Sequence, residues 1–136
     1  MSTFNSIEEA REYFKGDKYA AASGITIDSL TNDRCVCGMD IIDGYHCNAA
    51  GGVMGGAIFT LADFAFAVAA NNRHRLTVAI SANVNFMSAP KGKRLTASAV
   101  CIKDGATTCV YDVDIYDDTG RSVAKLICTG YKIFGR

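Results

Sequence analysis

The feature that most constrains the fold is a segment that is apolar on nearly every side. Residues 55–70 read GGAIFTLADFAFAVAA, and Asp63 is the one charged residue among them. A helix with this pattern offers no polar face to water, so it is either enclosed by the rest of the chain or inserted in a membrane. An ionised acid near the middle of a membrane span would cost about 3 kcal/mol. We therefore expect a long helix, from about residue 55 to 71, that is enclosed by a sheet.

The chain after this helix is a succession of strand-like runs, at residues 77–87, 94–103, 107–116 and 122–134. The segments between them are rich in turn-forming residues and too short for crossover helices, so the strands should pair antiparallel. In the third run, Cys109, Tyr111, Val113 and Ile115 alternate with more polar neighbours, which predicts one buried face and one solvated face.

The amino-terminal part is predicted to add a short helix and two strands. Ser6 and Glu9 have the spacing of a capping box at a helix start, and strand-like patterns cover residues 25–30 and 34–42. The predicted fold class is therefore α+β, with an antiparallel β-sheet wrapped around a long central helix.

Composition excludes several other classes of protein. The 136 residues fit one domain, predicted as residues 1–136, and a hydrophobic content of 49% excludes a disordered chain. The 14 basic residues balance the 14 acidic ones, so nucleic acid is not predicted as a partner, and the insertion cost of Asp63 argues against a membrane. The opening MSTFNSIEEARE has no signal-peptide pattern, which predicts a cytoplasmic protein with reduced thiols. Cys35 and Cys37 lack a second pair at zinc spacing, so no metal site is predicted.

Two features of the helical segment point to chemistry, and each has a purely structural alternative. Asp63, among apolar neighbours, is either an acid that reaches a backbone donor or an interface, or a base or nucleophile facing a largely dry cleft. The glycines before it are either a turn with tight packing, or an oxyanion site with a backbone N–H aimed at a carbonyl oxygen. No Lys-Ser/Thr follows them, so a phosphate loop is not indicated.

The spacing of these two features limits how they can act together. Gly55 and Asp63 are eight residues apart, which is about 12 Å along one helix. An oxyanion donor and an attacking group must each lie about 3 Å from the reacting carbonyl. One helix cannot supply both, whereas two antiparallel copies across a two-fold axis can. If both residues act on one carbonyl, the active unit is at least a dimer.

The spacing Asn48-x6-Gly55-Gly56-x6-Asp63 resembles that of the hotdog-fold thioesterases of the phenylacetic-acid-degradation type. The setting NAAGGVMGGAIFTLADFAFAVAANN is similar to the Asn, Gly-Gly and Leu-Ala-Asp pattern of that family. The resemblance continues in AISANVNFMSAPKG after the helix and in the closing hairpin VYDVDIYDDTGRSVA, and covers about 100 residues from Met39 onward.

This resemblance implies an acyl-CoA thioesterase that hydrolyses a small aromatic or medium-chain acyl-CoA to the free acid and CoA. Asn48 and the Gly55 N–H would hold the thioester oxygen, Asp63 would activate the attacking water or itself attack, and Ser81 would help to hold the water. The family is commonly dimeric or tetrameric, so a homo-oligomer, a dimer or a homotetramer, with a shared site is expected. No cofactor is expected beyond the coenzyme A of the substrate, for which acyl carrier protein is the less favoured carrier.

One position departs from the family. Met54 stands where these relatives usually carry a histidine before the two glycines, and methionine neither donates a hydrogen bond nor carries a proton. His46 and His74 are interpreted as surface or loop residues rather than substitutes. A non-catalytic acyl-CoA binding or sensing module is therefore the alternative function. A hotdog hydratase is weaker, because no Asp/His or Glu/His pair accompanies Asp63.

Further residues are candidates for substrate contacts. Phe59, Phe64 and Phe86 would line the acyl pocket, with Met54 and Gly56 beside the reacting group. Basic residues after the helix and around Pro90 would contact the CoA phosphates, although charged loops are often simply solvated. These are Arg73, Lys91 and Lys93, with Arg75 and Arg94 in the same cluster.

Overall fold

The computed structural model describes residues 2–135, so the two ends of the predicted domain, Met1 and Arg136, lie outside the described residues. Within that range there are four helices and six strands. The helices are α1 (Ile7–Phe14), α2 (Lys18–Ala22), α3 (Asp43–His46) and α4 (Gly55–Arg73). The strands are β1 (Thr26–Leu30), β2 (Arg34–Asp40), β3 (Thr77–Phe86), β4 (Arg94–Asp104), β5 (Thr108–Asp117) and β6 (Ser122–Lys132).

The strands form one sheet in the order β1-β2-β4-β5-β6-β3, and every neighbouring pair is antiparallel. Helix α4 packs against this sheet and is buried on most of its circumference, with Leu61, Ala65 and Val68 fully inaccessible. The apolar pattern and the short connections therefore predicted the arrangement correctly, and the α+β class with an antiparallel sheet around a central helix is confirmed. None of the helices within residues 2–135 is long and apolar enough to cross a membrane.

The alternation predicted for the third run is present in β5. Cys109, Tyr111, Val113 and Ile115 are buried against the helix side. On the other face, Asp112 and Asp114 lie 2.7 Å and 2.8 Å from the Lys125 ammonium of β6. Burial on one face and ion pairs on the other fix the register of this strand, because a slip of one residue would exchange the two faces.

The amino-terminal helix begins as its capping residues predict. Ser6 Oγ accepts a hydrogen bond from Glu9 N at 3.1 Å, while the Glu9 carboxylate accepts from the Asn5 backbone N–H at 3.4 Å. The apolar face of α1 then packs on α4, where Phe14 and Phe64 meet edge to face with ring centroids 5.5 Å apart. This contact places the corner between α1 and α2 beside the middle of the central helix.

The interpretation of His46 as a surface or loop residue is wrong. His46 is 3% exposed and ends α3, a short helix that the sequence patterns did not predict. Its Nδ1 accepts from the Ile42 N–H at 3.0 Å, so the proton is on Nε2, which donates to the Ser23 carbonyl at 3.0 Å. Two backbone partners thus fix the ring. His74 is half-buried, with Nε2 3.2 Å from the Ile133 carbonyl.

The loop before β4 is fastened to the turn before β6 by one carboxylate. Asp117 Oδ2 accepts from Lys91 N at 2.7 Å and Gly92 N at 3.0 Å, and its Oδ1 accepts from the Thr119 hydroxyl at 2.6 Å and from Arg121 N at 3.1 Å. The Thr119 hydroxyl and these backbone donors hold the pKa of Asp117 well below its usual range. The position of the loop around Pro90 is therefore set by β5.

Candidate active site

Asn48 lies in a tight loop between α3 and α4, which we call the Asn48 loop (residues 47–53). Cys47 and Val53 form a β-bridge at its base, and Asn48 N donates to Gly52 O at 2.7 Å. The Asn48 Oδ1 accepts from Ala50 N and Gly52 N at 3.0 Å and 3.1 Å. Since the amide oxygen is occupied within the loop, the Nδ2 donors are the part of Asn48 left for a substrate oxygen.

Buried His46 holds the Asn48 loop in place through its backbone. The His46 carbonyl accepts from Met54 N at 2.8 Å, so the residue touches both the start of the Asn48 loop and the residue before α4. Its ring is held in turn by Ser23 and Ile42. His46 therefore positions the loop without facing the site itself.

The start of α4 supplies further donors. Ala57 N and Ile58 N both donate to the Met54 carbonyl, whereas the N–H groups of Gly55 and Gly56 have no backbone acceptor within residues 2–135. Free N–H groups at a helix start favour a negative charge. Met54 is the N-cap residue, is 52% exposed and provides no side-chain cap, so no polar side chain competes for these donors.

Asn48 and Gly55 line one cavity of about 420 Å³, which we call the oxyanion cavity. Phe86 and the loop up to Pro90 form its other wall. The Phe86 ring lies so close to Gly55 that an added Cβ would stand 3.0 Å from it, so a larger residue at this position would require the ring to shift. Asn48, Gly55 and Phe86, three of the residues that the sequence selected, are thus brought together.

Asp63 lies on the same helix as Gly55 but lines other cavities than the oxyanion cavity. It is half-buried and lines two neighbouring cavities, one with Thr60 and Phe64 and the other with Phe66 and Ala67. Burial, followed by the negative charge of Asp17, raises the pKa of Asp63. A carboxylate held this way is a stronger base than one in water.

Asp63 and the candidate oxyanion donors do not meet within one chain. Both belong to α4, which runs unbroken from Gly55 to Arg73, so about 12 Å separates the two positions. Asp63 is absent from the lining of the oxyanion cavity, and Gly55 from the lining of the two Asp63 cavities. The geometry inside a protomer therefore agrees with the spacing argument from the sequence.

The other sequence candidates are spread more widely. Ser81 is exposed on edge strand β3, opposite Thr129 and just after a register shift. Phe64 is buried in the core next to Asp63, and Phe59 is partly buried against the same core. Neither of them, nor Phe86, lines the cavity that Asp63 shares with Phe66 and Ala67, so the expectation that these three rings surround one acyl pocket does not hold for that cavity. Gly56 is exposed beside Met54 at the helix start.

The basic candidates separate into two groups. Arg73 lies at the far end of α4, about 27 Å from Gly55 along the axis, and pairs with Asp33 and Asp104 at 3.6 Å and 3.5 Å. Lys91 and Lys93 are exposed on the loop that follows Pro90, next to the oxyanion cavity. Of the three, the two lysines have charges available for a ligand.

Sequence reasoning missed two residues that approach Asp63. Phe14 ends α1 and Asp17 precedes α2, and both line a cavity with Asp63. The sequence shows Gly16-Asp17 as a helix break, but no local pattern indicates that this break faces the middle of α4. Only the packing of Phe14 on Phe64 places it there.

The chain resembles known proteins in sequence and in structure. Residues 50–124, more than half of the chain, match the thioesterase superfamily. The acyl-coenzyme A thioesterase PaaI of Escherichia coli is 31% identical over 129 residues, 94% of this chain and 91% of that protein. The solved structure of E. coli PaaI, from the phenylacetic acid degradation operon, matches with a TM-score of 0.82 and 29% identity over 96% of this chain and 98% of that one.

A hypothetical thioesterase protein of Streptococcus pneumoniae, solved with coenzyme A, matches with a TM-score of 0.81 and 28% identity over 90% of this chain and 98% of that one. The chain is therefore similar to these proteins in both sequence and fold over nearly its whole length. With its antiparallel sheet around α4, the chain belongs to the thioesterase superfamily and is a hotdog-fold protein of the PaaI type.

Proposed function

We propose that the protein hydrolyses the thioester of a small aromatic or medium-chain acyl-CoA to the free acid and CoA. The observation that carries this proposal is the pair of half-sites on α4: unpaired N–H donors at its start and a half-buried carboxylate in its middle. The names of its relatives support the same reaction, since E. coli PaaI is an acyl-CoA thioesterase and the S. pneumoniae relative was solved with CoA.

The proposed site is shared between two subunits of a homo-oligomer. Two α4 helices that lie antiparallel across a two-fold axis bring Gly55 of one protomer towards Asp63 of the other. Each dimer then has two such sites, and a tetramer has four. This arrangement resolves the separation of about 12 Å that one helix imposes.

In the proposed reaction, Asp63 takes a proton from water while the water oxygen forms a bond to the thioester carbonyl carbon. The carbonyl electron pair moves to oxygen, where the Gly55 N–H and Asn48 Nδ2 stabilise the negative charge. When the carbonyl re-forms, the C–S bond breaks, and the CoA thiolate takes the proton that Asp63 had accepted. Ser81 is assigned to holding the water. Attack by the Asp63 carboxylate itself is the competing route.

The CoA part of the bound substrate is proposed to extend out of the site along the loop after Pro90. Lys91 and Lys93 are exposed there and can approach the phosphates as point charges. No cofactor is required by this chemistry, and coenzyme A is proposed as the carrier rather than acyl carrier protein. A cytoplasmic location belongs to the same proposal, because the cytoplasm is where CoA thioesters would be available as substrates.

A thiol-release assay over acyl-CoA esters with aromatic, short and medium acyl groups tests the proposal. The wild-type protein should release CoA from at least one class, and Asp63→Asn should reduce kcat by at least about 100-fold, with a smaller change in KM. A protein that releases no thiol from any ester of the panel would exclude the hydrolase.

One observation favours the second candidate, a non-catalytic acyl-CoA binding module. Met54 is exposed at the N-cap of α4, where the relatives usually carry a histidine, so any polar role of that side chain is missing. Titration of acyl-CoA in a calorimeter separates the two candidates: binding without thiol release identifies the module.

A further inference from the structure

The larger of the two cavities that Asp63 lines, which we call the Asp63 cavity, has a volume of about 260 Å³. It lies between α1, α4 and the start of β3. Its apolar walls include Phe14, Phe66, Leu76 and Val78, while Asp17 stands with Asp63 among the polar lining residues. The cavity therefore combines apolar walls with two carboxylates.

Among the other polar lining residues, the Tyr13 hydroxyl is available, whereas the side chains of Asn71 and Thr77 are already hydrogen-bonded to the backbone. Asn71 Nδ2 donates to the carbonyls of Ala67 and Thr77 at 2.8 Å and 3.0 Å, and its Oδ1 accepts from Thr77 N at 2.9 Å. The Thr77 hydroxyl donates to the His74 carbonyl at 2.6 Å. An anion that entered this cavity would find at most the neutral Tyr13 hydroxyl among these residues to replace its water.

The cations near the corner of α1 and α2 do not line the Asp63 cavity. Arg75 stacks over the Phe4 and Tyr13 rings and donates to the Thr3 carbonyl at 2.7 Å. Lys18 lines the smaller cavity on the other side of Asp17. A second negative charge inside the Asp63 cavity would thus face two like charges without a facing cation.

A CoA thioester has two arms of opposite character. The CoA arm carries several phosphate charges and is repelled by Asp17 and Asp63, whereas Lys91 and Lys93 attract it on the oxyanion side. The acyl arm is the one that an apolar, acid-lined cavity can accept. Because the proposed carbonyl position lies beside Asp63, the acyl group enters this cavity directly.

We propose that the Asp63 cavity receives the acyl group and that Asp17 makes it select uncharged acyl groups over those that end in a carboxylate. This inference rests on the proposed thioesterase function and adds its substrate class. Phe14 and Asp17 precede residue 50, where the match to the thioesterase superfamily begins, so the selectivity comes from the amino-terminal segment.

The test compares hexanoyl-CoA with adipoyl-CoA, which have equal chain lengths and differ by one terminal carboxylate. The wild-type protein should favour hexanoyl-CoA by at least about tenfold in kcat/KM, the scale of a charge interaction at a partly hydrated site. Asp17→Asn should raise kcat/KM for adipoyl-CoA by about tenfold relative to that for hexanoyl-CoA, and this ratio is the quantity measured, because any effect on Asp63 itself acts on both substrates alike.

Glu12→Gln is the matched control, because it removes the same charge from the exposed side of α1, where Glu12 pairs with Lys15 at 3.0 Å. It should leave the ratio of the two substrates unchanged. Equal kcat/KM for both substrates in the wild type, or equal effects of Asp17→Asn and Glu12→Gln on the ratio, would overturn the proposed selectivity.

A second variant tests the position of the acyl group. Ala67 lines the Asp63 cavity from α4, and Ala67→Leu reduces the space without changing its charge. We expect kcat/KM for hexanoyl-CoA to fall by at least about tenfold while that for acetyl-CoA stays within about threefold. A uniform loss for both substrates in a protein with unchanged Tm would place the acyl group elsewhere.

The two proposals fail in different ways. If no acyl-CoA is hydrolysed, the proposed thioesterase function fails, and the same hexanoyl/adipoyl comparison is made on Kd by calorimetry. Equal Kd values for the two esters would then overturn the acyl-selectivity inference as well, whereas a preference for hexanoyl-CoA that Asp17→Asn removes would support it.

Discussion

A mixture of two inactive variants provides the sharpest test of the shared site. Asn48→Ala removes an oxyanion donor, and Asp63→Asn removes the base while it preserves the size of the side chain. Each variant alone should retain about 1% of the wild-type kcat, the usual scale for losing an oxyanion donor or a general base. Neither substitution lies in the centre of the core, since Asn48 is exposed and Asp63 is half-buried.

The expected recovery follows from counting sites. In a mixed dimer, one site combines both substituted residues and the other combines the intact Asn48 of one protomer with the intact Asp63 of its partner. Random exchange of equal amounts makes half of the dimers mixed, so activity should return to about 25% of the wild-type value. Mixed dimers that are isolated should show about 50%.

The assay uses two affinity tags, one on each variant, with co-expression and purification on both tags in succession. Thiol release from the best substrate is then measured per protomer. A mixture of wild type with Asp63→Asn is the control for inhibitory effects and should retain about 50% of the activity, with or without exchange.

One result would refute the shared site. If doubly purified mixed dimers retain only the residual activity of the separate variants, Asn48 and Asp63 do not form a site across the interface. The separation of about 12 Å along α4 would then mean that one of the two residues does not act on the carbonyl.

Four further predictions concern three residues, Asp63, His46 and Met54. Burial, followed by the charge of Asp17, raises the pKa of Asp63, and the base must be ionised to act. As the pH is lowered, kcat/KM should therefore begin to fall at a higher pH than it would with an ordinary aspartate as the base. A profile that is flat down to pH ~4 would contradict this. For the same reason Asp63→Asn should increase the free energy of unfolding at pH 8, where the wild-type carboxyl is ionised. The gain should disappear at a pH low enough to protonate that carboxyl, as urea titrations at the two pH values will show. His46→Ala should lower kcat about tenfold with little change in KM, since it frees the Asn48 loop, and should have little further effect in an Asn48→Ala background; fully additive losses would show a general structural role. Met54→His should leave kcat equal or higher if the missing histidine limits the reaction, and a clear decrease in the same thiol-release assay would show that the methionine is adapted to this site.

Much of the fold follows from local patterns in the sequence. The all-round apolar segment predicted α4 to within two residues of its end, and the alternation from Cys109 to Ile115 predicted the buried face of β5. Both predictions succeed because the periodicity of the apolar residues indicates directly which sides of a helix or strand are buried. The spacing of Gly55 and Asp63 also predicted their separation, because the rise of a helix is constant.

Other features depend on contacts between distant segments and left no local pattern. His46 is buried because the Ser23 carbonyl, 23 residues away, and the Ile42 N–H take its two ring nitrogens. Arg73 was a candidate phosphate ligand by its position after the helix, but the fold pairs it with Asp33 and Asp104. In both cases the environment of a polar side chain decides its role, and that environment is assembled from remote parts of the chain.

The sequence by itself determined the central helix and the antiparallel sheet, because hydrophobic periodicity, turn residues and helix rise are local properties. The apolar setting of Asp63 and the resemblance to a known family indicated the residues of the two half-sites. The tertiary structure alone decided what surrounds Asp63. Phe14 packs on Phe64, and this contact carries Asp17 to the cavity of the proposed base. The charge that Asp63 feels, and with it the acyl group that the cavity accepts, depends on distances through space between residues that are far apart along the chain.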